Sequence, residues 1–249
     1  MQTCKNKKYI AFAVHYQHSC RGQFKTVLSR RTLFLFNIRL YDKKTRLDDL
    51  CCDLLTPTLQ AKIKRGLIMA NLQVATLAGG CFWCIESAFN TVEGVEKAIS
   101  GYAGGEKADP TYEEVCTGST GHAEVVQVTF DADNISYREI LEIFFALHDP
   151  TQLNRQGNDV GTQYRSAIFY HDDAQKAEAE KIIAQITEEE IWPDPVVTEI
   201  VAVNNYYDAE DYHQDYFKNN PQNQYCSMVV APKLAKFKKT FASRLRSDA

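Results

Sequence analysis

Between residues 137 and 147 the apolar positions Tyr137, Ile140, Leu141, Phe144 and Phe145 fall at i, i+3, i+4, i+7 and i+8. That spacing lays one stripe along an amphipathic helix. Ala179, Ile182, Ile183 and Ile186 repeat the pattern, and Leu234, Phe237, Phe241 and Leu245 predict a last helix with lysines on its other face. Short apolar runs predict strands at Gln73–Ala78, Val95–Tyr102, Arg165–Tyr170 and Val196–Val203. Gly79-Gly80 closes the first of these, and Cys81–Asn90 reads as a helix opening directly behind the two glycines. Strands alternating with helices argue for an α/β or α+β domain across residues 69–249. The expected fold class is α+β, a two-layer sandwich with a mixed central sheet flanked by helices.

Charge divides the chain at the same place. Residues 1–68 carry fourteen Lys/Arg against four Asp/Glu, a net +10, whereas residues 69–249 carry fourteen against twenty-eight, a net −14. The basic head lacks clear period-3.6 or period-2 patterning. Its acid-poor, Arg-containing composition loosely fits an organelle transit peptide and lacks the layout of a secretory signal. Met69 opens Met-Ala-Asn-Leu-Gln-Val-Ala-Thr-Leu, which looks like a natural start, so the working protein is expected to begin near Met69 with the head dispensable. The folded part is acidic, which argues against a nucleic-acid-binding domain. No apolar run approaches the roughly 20 residues that span a bilayer; the densest is Leu33–Phe36.

The eight cysteines are too sparse for a disulfide-stapled scaffold, and reduced cytosolic thiols are the default expectation. Two of them stand in Gly79-Gly80-Cys81-Phe82-Trp83-Cys84. A cysteine at a helix start lies over unpaired backbone N–H groups that favour the thiolate. The effect is small. A thiol with a pKa near 8.5 is about 3% ionised at pH 7, and a helix dipole supplies only about 0.3–1 kcal/mol. Either another group assists, or the substrate drives ionisation on binding. Phe82 and Trp83 offer an apolar wall suited to a methyl-bearing group. Three other readings of the pair are a zinc site completed by Cys116 and His122, a thioredoxin-like redox motif without the usual Gly-Pro, and two buried inert cysteines, which the Gly-Gly turn before Cys81 argues against.

Gly121-His122-Ala123-Glu124 runs into Val125-Val126-Gln127-Val128-Thr129-Phe130. If this is a strand, Glu124 shares a face with Val126, Val128 and Phe130, while Val125, Gln127, Thr129 and Asp131 form the wetter face. A carboxyl on the apolar face is one that burial can keep protonated. An unperturbed Glu holds its proton only about 0.2% of the time at pH 7, and a two-unit rise corresponds to about 2.7 kcal/mol, within the reach of burial. The third constellation is Gln156-Gly157-Asn158-Asp159-Val160-Gly161-Thr162-Gln163-Tyr164-Arg165-Ser166, a polar, glycine-punctuated loop of the kind that builds sites.

These motifs, in this order, resemble the type A peptide methionine sulfoxide reductases, over Gln73 to Cys226. The resemblance implies that Cys81 attacks the sulfoxide sulfur and becomes a sulfenic acid, with Phe82 and Trp83 holding the substrate methyl group. It implies that Glu124 protonates the sulfoxide oxygen, that Tyr112 and Tyr164 hydrogen-bond that oxygen, and that Asp159 is the site aspartate. Proton donation also answers the thiolate shortfall, because it makes the sulfur more electrophilic. Cys226, in a flexible-looking polar stretch, and Cys84 are the resolving candidates. Cys226 is favoured because a mobile segment reaches disulfide geometry more readily than two thiols on one helix turn. The family uses thioredoxin as external reductant and no metal or organic cofactor.

The expected protein is therefore a cytoplasmic monomer that reduces methionine-S-sulfoxide, free or in peptides and proteins. It has neither nucleic-acid nor membrane partners, although the head allows organelle targeting. The rival functions are a zinc-binding interaction module on Cys81, Cys84 and Cys116, and a thiol–disulfide exchange protein. Cys116 reads as packing and His122 as holding the turn before Glu124. His148, His171 and His213 show no carboxylate or thiol arrangement that supports catalysis.

Overall fold

The computed structural model describes residues 71–247. The basic head, the start near Met69 and the targeting reading lie outside the described residues. One six-stranded sheet organises the domain. Its strands are β1 (Leu72–Gly79), β2 (Val95–Ala103), β3 (Ala123–Asp131), β6 (Ser166–Tyr170), β7 (Glu199–Ala202) and β8 (Tyr206–Asp208), in the order β7-β6-β1-β3-β2-β8. All neighbours are antiparallel except β6 and β7, so the sheet is mixed, as expected of the fold class. A two-stranded ribbon, β4 (Arg155–Gln156) with β5 (Asp159–Val160), stands apart from it.

The helices are α1 (Phe82–Phe89), α2 (Tyr112–Cys116), α3 (Tyr137–Leu147), α4 (Asp173–Glu188), α5 (Tyr216–Asn219) and α6 (Ala231–Thr240). Local chemistry starts several of them. Thr111 with Glu114, and Ser136 with Glu139, form reciprocal capping boxes, and Asp172 accepts from the Gln175 N–H. The α3 stripe is buried as its spacing predicts, with Ile140, Leu141, Phe144 and Phe145 in the core. Leu77 and Phe130 of the sheet join Ile85 and Phe89 of α1, and Ile182 and Ile186 of α4, in that same main core. On the other sheet face Ala78, Ala103, Ala123, Val125, Ala167 and Phe169 form a smaller cluster. Val125 is thus buried with the face expected to be wet, while Gln127, Thr129 and Asp131 are half-buried.

The last helix is shorter than its apolar spacing predicts. Phe241 leaves helical geometry at φ −109°, ψ 28°, and Leu245 pairs with Val92 as an isolated antiparallel bridge. Both side chains still pack against the core, so the spacing recorded burial and not helix length. Likewise Val196–Val203 is extended sheet only at Glu199–Ala202.

Candidate active site

The site begins where β1 turns into α1. Gly80 has φ +89°, and a side chain there would meet the Gln156 Cγ at 2.6 Å. Gly79 is as tightly held: a Cβ would stand 2.9 Å from His148 and Phe144. The double glycine therefore allows both a left-handed turn and close packing. Cys81 becomes the residue that caps α1, and its carbonyl accepts from the Cys84 N–H at 3.1 Å.

Glu124 enters from β3. Its side chain is 2% exposed, and Oε2 accepts a hydrogen bond from the Phe82 backbone N–H at 3.0 Å. Residues 81 and 124 thus share one buried pocket at the N-terminus of α1. Burial pushes the Glu124 carboxyl well above the usual range; a charge on Cys81 pushes it further, and the Phe82 N–H pulls it back. Strand parity predicts this side chain on the apolar face, and there it lies, with Val126, Val128 and Phe130 buried beside it in register.

Cys81 differs from the helix-start expectation. Its thiol is pushed well above the ordinary value, chiefly by burial, and the hydrogen-bonded Cys84 thiol raises it further. The Tyr225 hydroxyl and the Trp83 backbone N–H act the other way and do not prevail. Desolvation disfavours a buried anion by more than a helix end favours it. The Cys84 thiol is lowered, first by its hydrogen bond with Cys81.

Asp159, on β5, comes to the same place: the Tyr225 hydroxyl donates to its Oδ2 at 2.7 Å and also reaches Cys81. Burial raises the hydroxyls of Tyr112 and Tyr164, and both sense a charge on Glu124 and on Cys116. Phe82 and Tyr112 stack at 6.4 Å between ring centroids, and Trp83 stacks on Tyr216 at 3.8 Å and 7°. Cys81, Phe82, Trp83, Tyr112, Glu124, Asp159 and Tyr164 are therefore linked in one cluster around the start of α1.

Two expectations need correction. Cys116 is exposed and in hydrogen-bonding contact with Tyr112, so it is not a packing residue. The stretch before Cys226 is ordered: Asn223 Oδ1 accepts from the N–H groups of Tyr225 and Cys226 at 2.9 and 3.3 Å, and a helical segment, Cys226–Val230, follows. Cys226 is fully buried there, which removes the mobility argument in its favour.

His122 holds the turn before Glu124 as expected. Its Nδ1 accepts from the Gly105 N–H at 3.1 Å, and Nε2 lies 2.8 Å from the Lys107 carbonyl. With both ring nitrogens engaged by backbone, His122 does not complete the zinc set drawn from the sequence. Among the described residues no group of three or more His, Cys, Asp and Glu is placed to hold a metal ion.

The family model described as peptide methionine sulfoxide reductase matches residues 73–245. The chain belongs to this family. The peptide methionine sulfoxide reductase MsrA of Natronomonas pharaonis is 54% identical over 173 residues, covering 70% of this chain and 97% of that protein. The MsrA of Saccharolobus solfataricus is 54% identical over 175 residues, covering 70% and 98%. Among solved structures, Mxr1 from Saccharomyces cerevisiae in reduced form superimposes with a TM-score of 0.58 at 40% identity, over 64% of this chain and 91% of that one. Methionine sulfoxide reductase A of Corynebacterium diphtheriae gives 0.57 at 35% identity, over 63% and 78%.

In this member of the reductase family, Glu210, His213, Tyr216 and Tyr225 also border the site, and no sequence motif marks them. All lie between Ala209 and Cys226, a stretch dense in tyrosine, histidine and acids, and that density was the available signal.

Proposed function

We propose that the chain reduces methionine-S-sulfoxide, free or in peptides and proteins, by way of a sulfenic acid on Cys81. The observation that carries this reading is the shared burial of the Cys81 thiol and the Glu124 carboxyl at one helix N-terminus. The epimer follows from the family resemblance.

The electron pair comes from the Cys81 sulfur, which attacks the sulfoxide sulfur. Glu124 gives its proton to the sulfoxide oxygen. The attack joins the two sulfurs, and the Cys81 thiol proton replaces the one that Glu124 gave; the S–O and S–S bonds of that adduct then break as the oxygen passes to the Cys81 sulfur, methionine leaves, and Cys81 is left as a sulfenic acid. A buried neutral carboxyl suits the donor, since an ionised one has no proton to give. A buried, protonated thiol suits a site that ionises only as the substrate oxygen takes up its proton. Tyr112 and Tyr164 hydrogen-bond that oxygen, Asp159 orients the polar side through Tyr225, and Phe82 and Trp83 receive the methyl group.

Cys84 then attacks the sulfenic sulfur, releases water and forms a disulfide with Cys81. Its thiol is already in hydrogen-bonding contact with the Cys81 thiol, which favours it over Cys226 as the first resolver. Cys226, buried nearby, takes the disulfide on by thiol exchange, and thioredoxin reduces it. The chemistry draws on no metal or organic cofactor. Residues 69–249 form the catalytic domain, working as a monomer in the cytoplasm, and residues 1–68 are dispensable to activity. The test is a sulfoxide-reduction assay with thioredoxin and both epimers, on the full chain and on residues 69–249. Turnover of the S epimer alone by both is expected; turnover of a disulfide and of neither sulfoxide would replace this reading with thiol–disulfide exchange.

A further inference from the structure

Glu210 and His213 lie against the proposed substrate pocket, and the proposed sulfur chemistry gives them no work. Glu210 is a junction. Its Oε1 accepts from the Tyr112 backbone N–H at 2.9 Å, and its Oε2 accepts from the Tyr102 hydroxyl at 2.8 Å. The Tyr112 contact anchors the first residue of α2, so it fixes where that side chain starts. His213, 1% exposed, follows three residues later, with Nε2 3.9 Å from Glu210 Oε2.

The ring of His213 has a defined protonation pattern. The Trp83 indole Nε1–H donates to Nδ1 at 3.2 Å. An indole nitrogen only donates, so Nδ1 is an acceptor there. Burial holds the imidazole below its ordinary value, so the ring is neutral and its single proton sits on Nε2. That Nε2 is buried without a hydrogen-bond partner, and the carboxylate of Glu210 is the charge beside it. The ring itself packs 4.4 Å from Tyr112 and 5.1 Å from Phe82, centroid to centroid. His213 is therefore wedged between the two aromatics assigned to the pocket and tied to the third.

We propose that Glu210 and His213 are positioning residues: the Glu210 carboxylate, beside the His213 Nε2–H, favours the tautomer whose Nδ1 fixes the Trp83 indole, and the same carboxylate anchors Tyr112. One acidic group thereby sets the methyl-facing ring and the oxygen-facing hydroxyl relative to each other. The inference rests on Trp83 and Tyr112 being pocket residues. Neither Glu210 nor His213 touches the reacting sulfur, and with Nδ1 committed to the indole, His213 has no free basic nitrogen for proton transfer.

The test uses the full chain and three variants. His213→Phe keeps a ring in the cluster and removes the acceptor. His213→Asn returns an acceptor oxygen near the position of Nδ1, and Trp83→Phe assigns the indole resonance of Trp83 in nitrogen-15 NMR. The expected results are an indole N–H protected from solvent exchange in the parent, shifted in His213→Phe and restored in His213→Asn. With them, KM for methionine sulfoxide rises about tenfold in His213→Phe with kcat little changed, and His213→Asn recovers most of that loss. An indole resonance indifferent to His213→Phe, or a parent indole that exchanges freely, overturns the proposal. So does a folded His213→Phe protein with an unchanged KM. If His213→Phe does not fold, protection of the parent indole decides. A parent that reduces no sulfoxide contradicts the proposed function instead, and the NMR arm still reads the Trp83–His213 contact.

Discussion

Glu124 and Phe82 meet across forty-two residues of sequence, carboxyl oxygen to backbone N–H at 3.0 Å. The contact ties the apolar end of β3 to the first residue of α1 and fixes one carboxyl oxygen, leaving the other for proton transfer. The same helix end carries Cys81, so a single hydrogen bond sets the proposed acid and the proposed nucleophile in register.

Glu124→Gln separates structure from chemistry. The amide oxygen can still accept from the Phe82 N–H, and an uncharged group already suits the buried site, so thermal stability should hold. Sulfoxide reduction should fall by about 10²–10⁴-fold, the range typical of a lost proton donor. The parent should also lose activity as pH rises past the raised Glu124 pKa, and the variant should lack that alkaline limb. Equal rates in parent and variant would remove Glu124 from the mechanism.

Glu86, on α1, is buried, with Oε1 accepting from the Asp215 N–H at 3.1 Å and Oε2 unpartnered. Burial pushes its carboxyl up from 4.5 to about 7. Because the folded-state value is the higher one, the folded chain keeps a proton that the unfolded chain has released. The associated stability is fully present below pH 4.5 and is lost as pH rises through 7. Two and a half units correspond to about 3 kcal/mol. Glu86→Gln should therefore match the parent in urea unfolding near pH 4.5 and exceed it by roughly that amount near pH 8. A constant difference across the range would contradict the burial argument.

Gly80→Ala asks a side chain to occupy φ +89° with Gln156 carbons at 2.6 and 2.7 Å. Backbone strain alone costs about 1–3 kcal/mol at such a position, and the Gln156 contact adds to it. The melting temperature should drop, and activity should drop with it because Cys81 is displaced. A variant with parental stability would show that the turn relaxes freely.

Much of this arrangement is legible in the sequence, for local reasons. The α3 stripe, the double glycine before Cys81 and the alternation along β3 each follow from periodicity or backbone freedom, and each places a site element. What escapes is decided by contacts between distant segments. Trp83 meets His213 across 130 residues, and Tyr225 meets Asp159 across 66. No spacing rule encodes either. The Cys81 thiol shows the same limit: a helix start is visible in the sequence, but the depth of burial that outweighs it is not. At Phe241 and Leu245 the apolar period continues past the end of the helix, because burial in a loop obeys the same hydrophobic preference.

Resolution should divide the cysteines. After one turnover without reductant, mass mapping should find a Cys81–Cys84 disulfide in Cys226→Ser protein, while Cys84→Ser should accumulate the sulfenic acid or form Cys81–Cys226 more slowly. A parent enzyme that shows only Cys81–Cys226 at the earliest times would make Cys226, and not Cys84, the first resolver.

The most direct measurement is a single turnover of methionine-S-sulfoxide by the full chain carrying Cys84→Ser and Cys226→Ser, followed by peptide mass analysis. One methionine should be released per protein, with one added oxygen on Cys81 and none on Cys116. Methionine release without an oxygen on Cys81, or the same yield from protein that also carries Cys81→Ser, would contradict the assignment of Cys81 as the sulfur that takes the oxygen.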